Sequence, residues 1–138
     1  MTTSLSVPNY GVVSGIISPA IKNGSVIEFR GVPYGKIPGR WELPALHNKL
    51  DHTHDGSKYG PMCPSIRIET LLGDTILDLV GPPPNQQMDE FQCLNLNIAA
   101  PKEVYQKKLP VLVWVHGGAF VLGANTDRYA AIANLRKY

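Results

Sequence analysis

Polar and apolar residues alternate most cleanly in two short stretches of the chain. In VIEFR, Val26, Glu28 and Arg30 fall on one face and Ile27 and Phe29 on the other, which is the period of two of an extended strand. Asn23-Gly24, just ahead of it, is a strong two-residue turn signal, so residues 11–32 are expected to form a β-hairpin. Pro19 in the first arm lacks a ladder donor and points to an edge position, with the hairpin opening a larger sheet. In the second stretch Leu94, Leu96 and Ile98 alternate with Asn95 and Asn97, which predicts a half-buried strand stopped by Pro101.

Other patterns predict helices and a different kind of strand. Val111, Leu112, Val113, Trp114 and Val115 are apolar without alternation, as expected of a central strand covered on both faces inside an α/β sheet. Ile68, Leu71, Leu72, Thr75, Ile76 and Leu79 recur at helical spacing before Gly81-Pro82-Pro83-Pro84, and predict a short amphipathic helix packed on that sheet. Asn125 or Thr126 is placed to cap a final helix with Tyr129, Ile132, Ala133 and Arg136 on one side. Residues 31–41 are a Gly/Pro-punctuated crossing segment, with Trp41 expected to anchor into apolar surface. Together these elements predict one α/β domain over residues 1–138, without internal repeats.

Composition narrows the class of partner. With 43% hydrophobic and 17% charged residues in 138, the chain reads as an ordinary soluble globular domain. A net charge of +2 from scattered basic residues lacks the electrostatic footprint of a nucleic-acid or anionic-membrane binder. The longest apolar stretch, residues 109–115, is too short to cross a bilayer. MTTSLSVPNY has neither the basic start nor the apolar core of a secretory signal, so the expected location is cytoplasmic; an incomplete N-terminus would leave secretion open. Cys63 and Cys93 are too few for a disulfide scaffold or a four-cysteine zinc site and enough for one bridge.

Two places carry candidate chemistry. In DHTHDG, His52, His54 and Asp55 have the alternation of an opening metal-ligand cluster, although no further histidine follows nearby, and a surface loop is the expected reading. No metal and no cofactor is expected. The second place is HGGAF, residues 116–120, which directly follows the apolar run. Side-chain-poor backbone at the carboxyl end of a buried strand sits where α/β sheets bind ligands. Consecutive amides at Gly118 and Ala119 can there receive a developing oxyanion.

Four blocks in order make the chain resemble the type-B carboxylesterases, which include cholinesterase-like proteins: VIEFRGVPYG, GRWELP, CLNLNIAAP and LPVLVWVHGGAFVLG. The resemblance runs from about Val12 onward and corresponds to the opening part of the family domain. It implies the N-terminal part of an α/β-hydrolase fold, with an edge β-hairpin, mixed central strands and a flanking helix. It also implies a serine carboxylesterase acting on small-molecule esters, whose oxyanion donors are the backbone amides of Gly118 and Ala119, with Gly117 shaping the turn. Ala119 stands where many members have glycine, and Gln92 where the signature usually has an acidic residue. By the same resemblance Cys63 and Cys93 form the family's first disulfide. No Trp or Tyr lies between them, so a choline-ester preference, which relies on an aromatic face for the cation, is not expected.

The reacting half of such a site is absent from these residues. None of Ser4, Ser6, Ser14, Ser18, Ser25, Ser57 and Ser65 has the glycine frame of GxSxG, and His47, His52 and His54 all precede the oxyanion segment. In the family the serine, acid and histidine follow that segment, so they are expected beyond Tyr138 and the chain alone is expected to be inactive and marginally stable. A non-catalytic cholinesterase-like binding module is the alternative, and an intact HGGAF leans against it.

Overall fold

The computed structural model describes residues 2–18, 26–65, 87–102, 108–121 and 123–126. Its main sheet orders four strands as β1 (Thr2–Val7), β2 (Gly11–Ile17), β3 (Val26–Pro33) and β7 (Asn95–Pro101), each antiparallel to its neighbour. A fifth strand, β6 (His54–Asp55), runs parallel to β2. Strands β4 (Gly35–Lys36) and β5 (Ala45–Leu46) form a separate antiparallel pair. Among the described residues there is no helix, and none long and apolar enough to cross a membrane.

The hairpin predicted over residues 11–32 is present as β2 and β3, while its Asn23-Gly24 turn lies outside the described residues. It is not at the edge. β1 pairs over its full length with β2, from Thr2 opposite Ile16 to Val7 opposite Gly11, and takes the outer position. Pro19, from which the edge position was read, lies outside the described residues. The β1–β2 turn carries a signal of its own in Val7-Pro8-Asn9-Tyr10. Proline presets the first central position, Asn9 takes φ 62°, and the Tyr10 amide donates to the Val7 carbonyl at 3.1 Å, the residue preferences of a type II turn.

β2 and β3 pair through Ile16–Glu28 and Ile17–Ile27 and then part. Residues 54–56 enter the gap: Val13 and Ser14 pair with His54 and Asp55, and the Gly56 carbonyl accepts from the Arg30 amide at 3.0 Å. The buried apolar cluster is Val13, Ile27, Phe29 and Val32, with Leu5, Tyr10 and Leu50 packed against it. Ile27 and Phe29 lie on one face, as the alternation requires, yet Val32 has the opposite parity. A β-bulge between Phe29 and Val32 reconciles them. One extra residue on the bulged strand shifts the pleat by one and returns the next apolar side chain to the core.

Glu28, on the other face, is also buried, with Arg30 beside it. Its carboxylate receives the Arg30 guanidinium at 2.6 Å and the Ser18 hydroxyl, and Arg30 lies 4.3 Å from the centroid of the Tyr59 ring. Burial of the pair is tolerable because both carboxylate oxygens are partnered.

β7 occupies the predicted place and ends at Pro101, but its buried face is the polar one. Asn95 is buried, whereas Leu96 and Ile98 are exposed. Hydrogen bonding explains the inversion: Asn95 Nδ2 donates to the carbonyls of Pro61 and Gln92, and Asn97 Oδ1 accepts the Gly31 amide at 2.9 Å. On that face Leu94 is half-buried beside Gly35, and exposure grows towards Ile98.

Two further expectations are corrected. Residues 109–115 are not a strand, and Val111 is 84% exposed and Trp114 57%. An apolar run becomes a strand only against ladder partners, and no described residue supplies them. Trp41 is 97% exposed at φ 70° and anchors into nothing among the described residues. The amphipathic helix read from Ile68 to Leu79 lies outside the described residues, as does the body of the helix after Asn125.

Candidate active site

The apolar run delivers the chain to a tight turn at HGGAF. The Val121 amide donates to the Gly118 carbonyl at 3.0 Å, and the two residues between them, Ala119 and Phe120, have φ of 51° and 64°. Positive φ at both central positions is the signature of a type I′ turn, which normally selects Gly, Asn or Asp. Here Ala and Phe occupy it, and each left-handed L-residue costs about 1–2 kcal/mol. Gly118, at φ 131°, takes the entry that a side chain would resist. Gly117 is outside the left-handed region, and a Cβ on it would meet open space, so the turn's shape resides in residues 118–120.

Gly118, Ala119 and Phe120 all have positive φ, and successive amides turned outward at a turn can make a concavity suited to anions. Among the described residues, neither the Gly118 nor the Ala119 amide donates to a protein acceptor. His116 Nδ1 lies 2.8 Å from the Gly117 carbonyl, and its ring is exposed. Histidine here serves its own turn and faces no nucleophile among the described residues.

Downstream, the flank of the turn meets the sheet through asparagines. Asn125 Nδ2 donates to the Asn95 carbonyl at 2.9 Å and to Asn95 Oδ1 at 2.8 Å, while Asn97 Nδ2 donates to the Asn125 carbonyl at 3.0 Å. The helix that Asn125 or Thr126 was expected to cap lies outside the described residues; among the described residues Asn125 Oδ1 is buried without a partner. Sequence reading missed these three residues as a unit. The Asn-x-Asn spacing in β7 was its one visible trace.

The cysteines and the acidic turn lie on the neighbouring stretch. Residue 62 bridges to residue 88, and Asp89 Oδ1 accepts the amides of Phe91 and Gln92 at 2.7 and 3.0 Å, closing the turn before Cys93. Gln92 makes no ion pair, but Glu90 supplies the acid, meeting Arg40 through Nε at 3.1 Å and Nη2 at 2.6 Å. This pair links the GRWELP block to the stretch before CLNLNIAAP. Cys63 and Cys93 are free thiols, so the implied bridge is not formed. They are nonetheless neighbours: burial first, then the adjacent Cys63 thiol, pushes the Cys93 thiol above its usual range. Because alkylation needs thiolate, limiting iodoacetamide at neutral pH should label the exposed Cys63 ahead of Cys93, read by peptide mass spectrometry. Equal labelling would contradict the raised Cys93 pKa.

The DHTHDG stretch is used structurally. His54 Nε2 lies 2.9 Å from the Arg30 carbonyl. The Ser57 hydroxyl first, and then the Ser57 amide donating to Asp55 Oδ1 at 3.0 Å, hold the Asp55 carboxyl below the usual range. His52 is exposed. Among the described residues no three of His, Cys, Asp and Glu converge to hold a metal ion.

Comparison with known proteins bears on this arrangement. The sequence profile of the Carboxylesterase family matches residues 2–135. Para-nitrobenzyl esterase of Bacillus subtilis (strain 168) is 36% identical over 130 residues, which cover 92% of this chain and 24% of that protein. Lipase 3 of Yarrowia lipolytica is 33% identical over 116 residues, covering 80% and 23%. Acetylcholinesterase of Bungarus fasciatus is 34% identical over 117 residues, covering 83% and 18%. Among solved structures, a PNB esterase superposes with a TM-score of 0.65 at 31% identity, covering 90% of this chain and 23% of that one. The chain thus spans about a quarter of the length of such relatives.

Proposed function

Because the chain belongs to the carboxylesterase family, we propose that it contributes the oxyanion-holding segment of a serine hydrolase acting on small-molecule carboxylic esters. Its strands are the N-terminal part of the α/β-hydrolase fold. When a serine attacks an ester carbonyl, the trigonal carbon becomes tetrahedral and its oxygen takes up the negative charge. Amides held in advance about 2.7–3.1 Å from that oxygen stabilise the charge without reorganising, and losing one such donor costs about 10²–10³ in kcat. Gly118 and Ala119 are the two donors in this reading. The supporting observation is that their adjacent amides, on a strained turn after the apolar run, have no acceptor among the described residues. Since the donors are main-chain, alanine at 119 serves as well as glycine.

A nucleophile is the part this sequence lacks, as no serine sits in GxSxG. An oxyanion site stabilises a charge that the chain by itself does not generate. Incubated with p-nitrophenyl acetate, the chain should release p-nitrophenol no faster than buffer, and a serine-directed fluorophosphonate should leave it unlabelled. Stoichiometric labelling would refute the division of the site. The amides are tested separately: titration with methylphosphonate, a tetrahedral oxyanion mimic, should shift the Gly118 and Ala119 amide resonances of 15N-labelled chain, and unshifted resonances would remove those residues from the role. Cys63 and Cys93 are the pair an oxidising compartment would join.

A further inference from the structure

The turn at residues 118–121 holds two left-handed L-residues, and backbone of that kind persists only where its surroundings over-determine it. The upstream side does not supply the constraint, because residues 109–117 are exposed. The downstream side does. Ala124 is buried, and Asn125 beside it is joined to β7 by three hydrogen bonds of 2.8–3.0 Å: two given by its own amide to Asn95, and one received by its carbonyl from Asn97. Those partners are themselves fixed, Asn97 by the Gly31 amide at the bulge and Asn95 by the carbonyls of Pro61 and Gln92. The Asn125 side chain keeps this orientation although, among the described residues, its Oδ1 has no partner.

We infer that Asn95, Asn97 and Asn125 are positioning residues, an amide clamp that fixes the exit of the HGGAF turn to the edge of β7 and so sets where the Gly118 and Ala119 amides point. The inference rests on the oxyanion reading of that turn for its functional meaning, though the clamp can be measured without it.

The two halves of the Asn97 side chain make a discriminating substitution possible. Asn97→Asp retains the oxygen that accepts the Gly31 amide and loses only the donor to Asn125; Asn125→Asp loses both bonds to Asn95 and keeps the carbonyl that Asn97 reaches. The experiment is 15N relaxation and amide exchange on the full 138-residue chain and on both variants. In the unaltered chain, Ala124 and Asn125 should be ordered like β7, with order parameters near about 0.85, and Gly118 and Ala119 should follow them. In either variant Gly118 and Ala119 should fall below about 0.6 while amides in β1, β2 and β3 keep their exchange rates. A purely structural role would instead loosen the sheet and the turn together. Unchanged order at 118–121 in the two variants, or free exchange at 123–126 in the unaltered chain, overturns the clamp; the second outcome needs no variant to fold. Loss of turn order accompanied by an intact methylphosphonate response in the unaltered chain supports both readings. Loss without any such response in the unaltered chain retains the clamp and removes the oxyanion role.

Discussion

Gly31→Ala should destabilise the chain by about 2–5 kcal/mol, made up of about 1–2 for a left-handed L-residue and about 1–3 for overpacking. Gly31 stands in the bulge at φ 61°, and a Cβ on it would lie 2.6 Å from the Gly60 amide nitrogen and 2.9 Å from the Gly60 Cα. Those neighbours are backbone, so no rotamer change can relieve the contact. The same movement would disturb the Gly31 amide on Asn97 and thereby the bulge that returns Val32 to the core. Urea unfolding followed by circular dichroism is the measurement, with Gly39→Ala as control, since there the crowding atoms belong to the flexible Glu42 side chain. A midpoint for Gly31→Ala equal to that of the control would show that the bulge tolerates a side chain.

Arg30→Met is the second large effect. It leaves the Glu28 carboxylate, whose side chain is 6% exposed, with the Ser18 hydroxyl alone. Removing one partner of a buried ion pair costs about 3–5 kcal/mol, chiefly through the uncompensated charge that remains. The double variant Glu28→Gln, Arg30→Met should therefore be more stable than Arg30→Met. Additive losses in that cycle would mean that Arg30 acts through packing on Tyr59 rather than by neutralising Glu28. Three consecutive residues thus carry three separate duties: Phe29 fills the core, Arg30 balances a buried charge, and Gly31 turns the pleat.

The sequence was most readable where local pattern and tertiary context agree. The arms of the β2–β3 hairpin follow from alternation, and the HGGAF turn follows from glycines after an apolar run. β1 went unread because Thr2–Val7 is mostly small and polar, although Val-Pro-Asn-Tyr marks the turn behind it. The edge reading of the hairpin failed because β1 pairs with β2 and takes the outer position. In β7 alternation located the strand without showing which face is buried, since asparagine goes inward once each amide finds a partner 28 to 66 residues away in sequence. Such partners leave no periodic trace. The strand expected at 109–115 was inferred from hydrophobicity alone, which reports what a segment can be buried against and not whether a described neighbour is there to bury it. For the candidate site, the turn was readable from the motif, and the Asn95, Asn97 and Asn125 contacts beside it were not.

Both tryptophans of the chain, Trp41 and Trp114, have indoles largely in water. Trp114 lies two residues before the HGGAF turn, and Trp41 beside the Arg40–Glu90 pair. Indole emission moves to shorter wavelength when solvent leaves it, so the polypeptide carries an intrinsic optical gauge whose resting signal is that of a solvated fluorophore. Any polypeptide surface that comes to lie over either place will register there without a dye or a label.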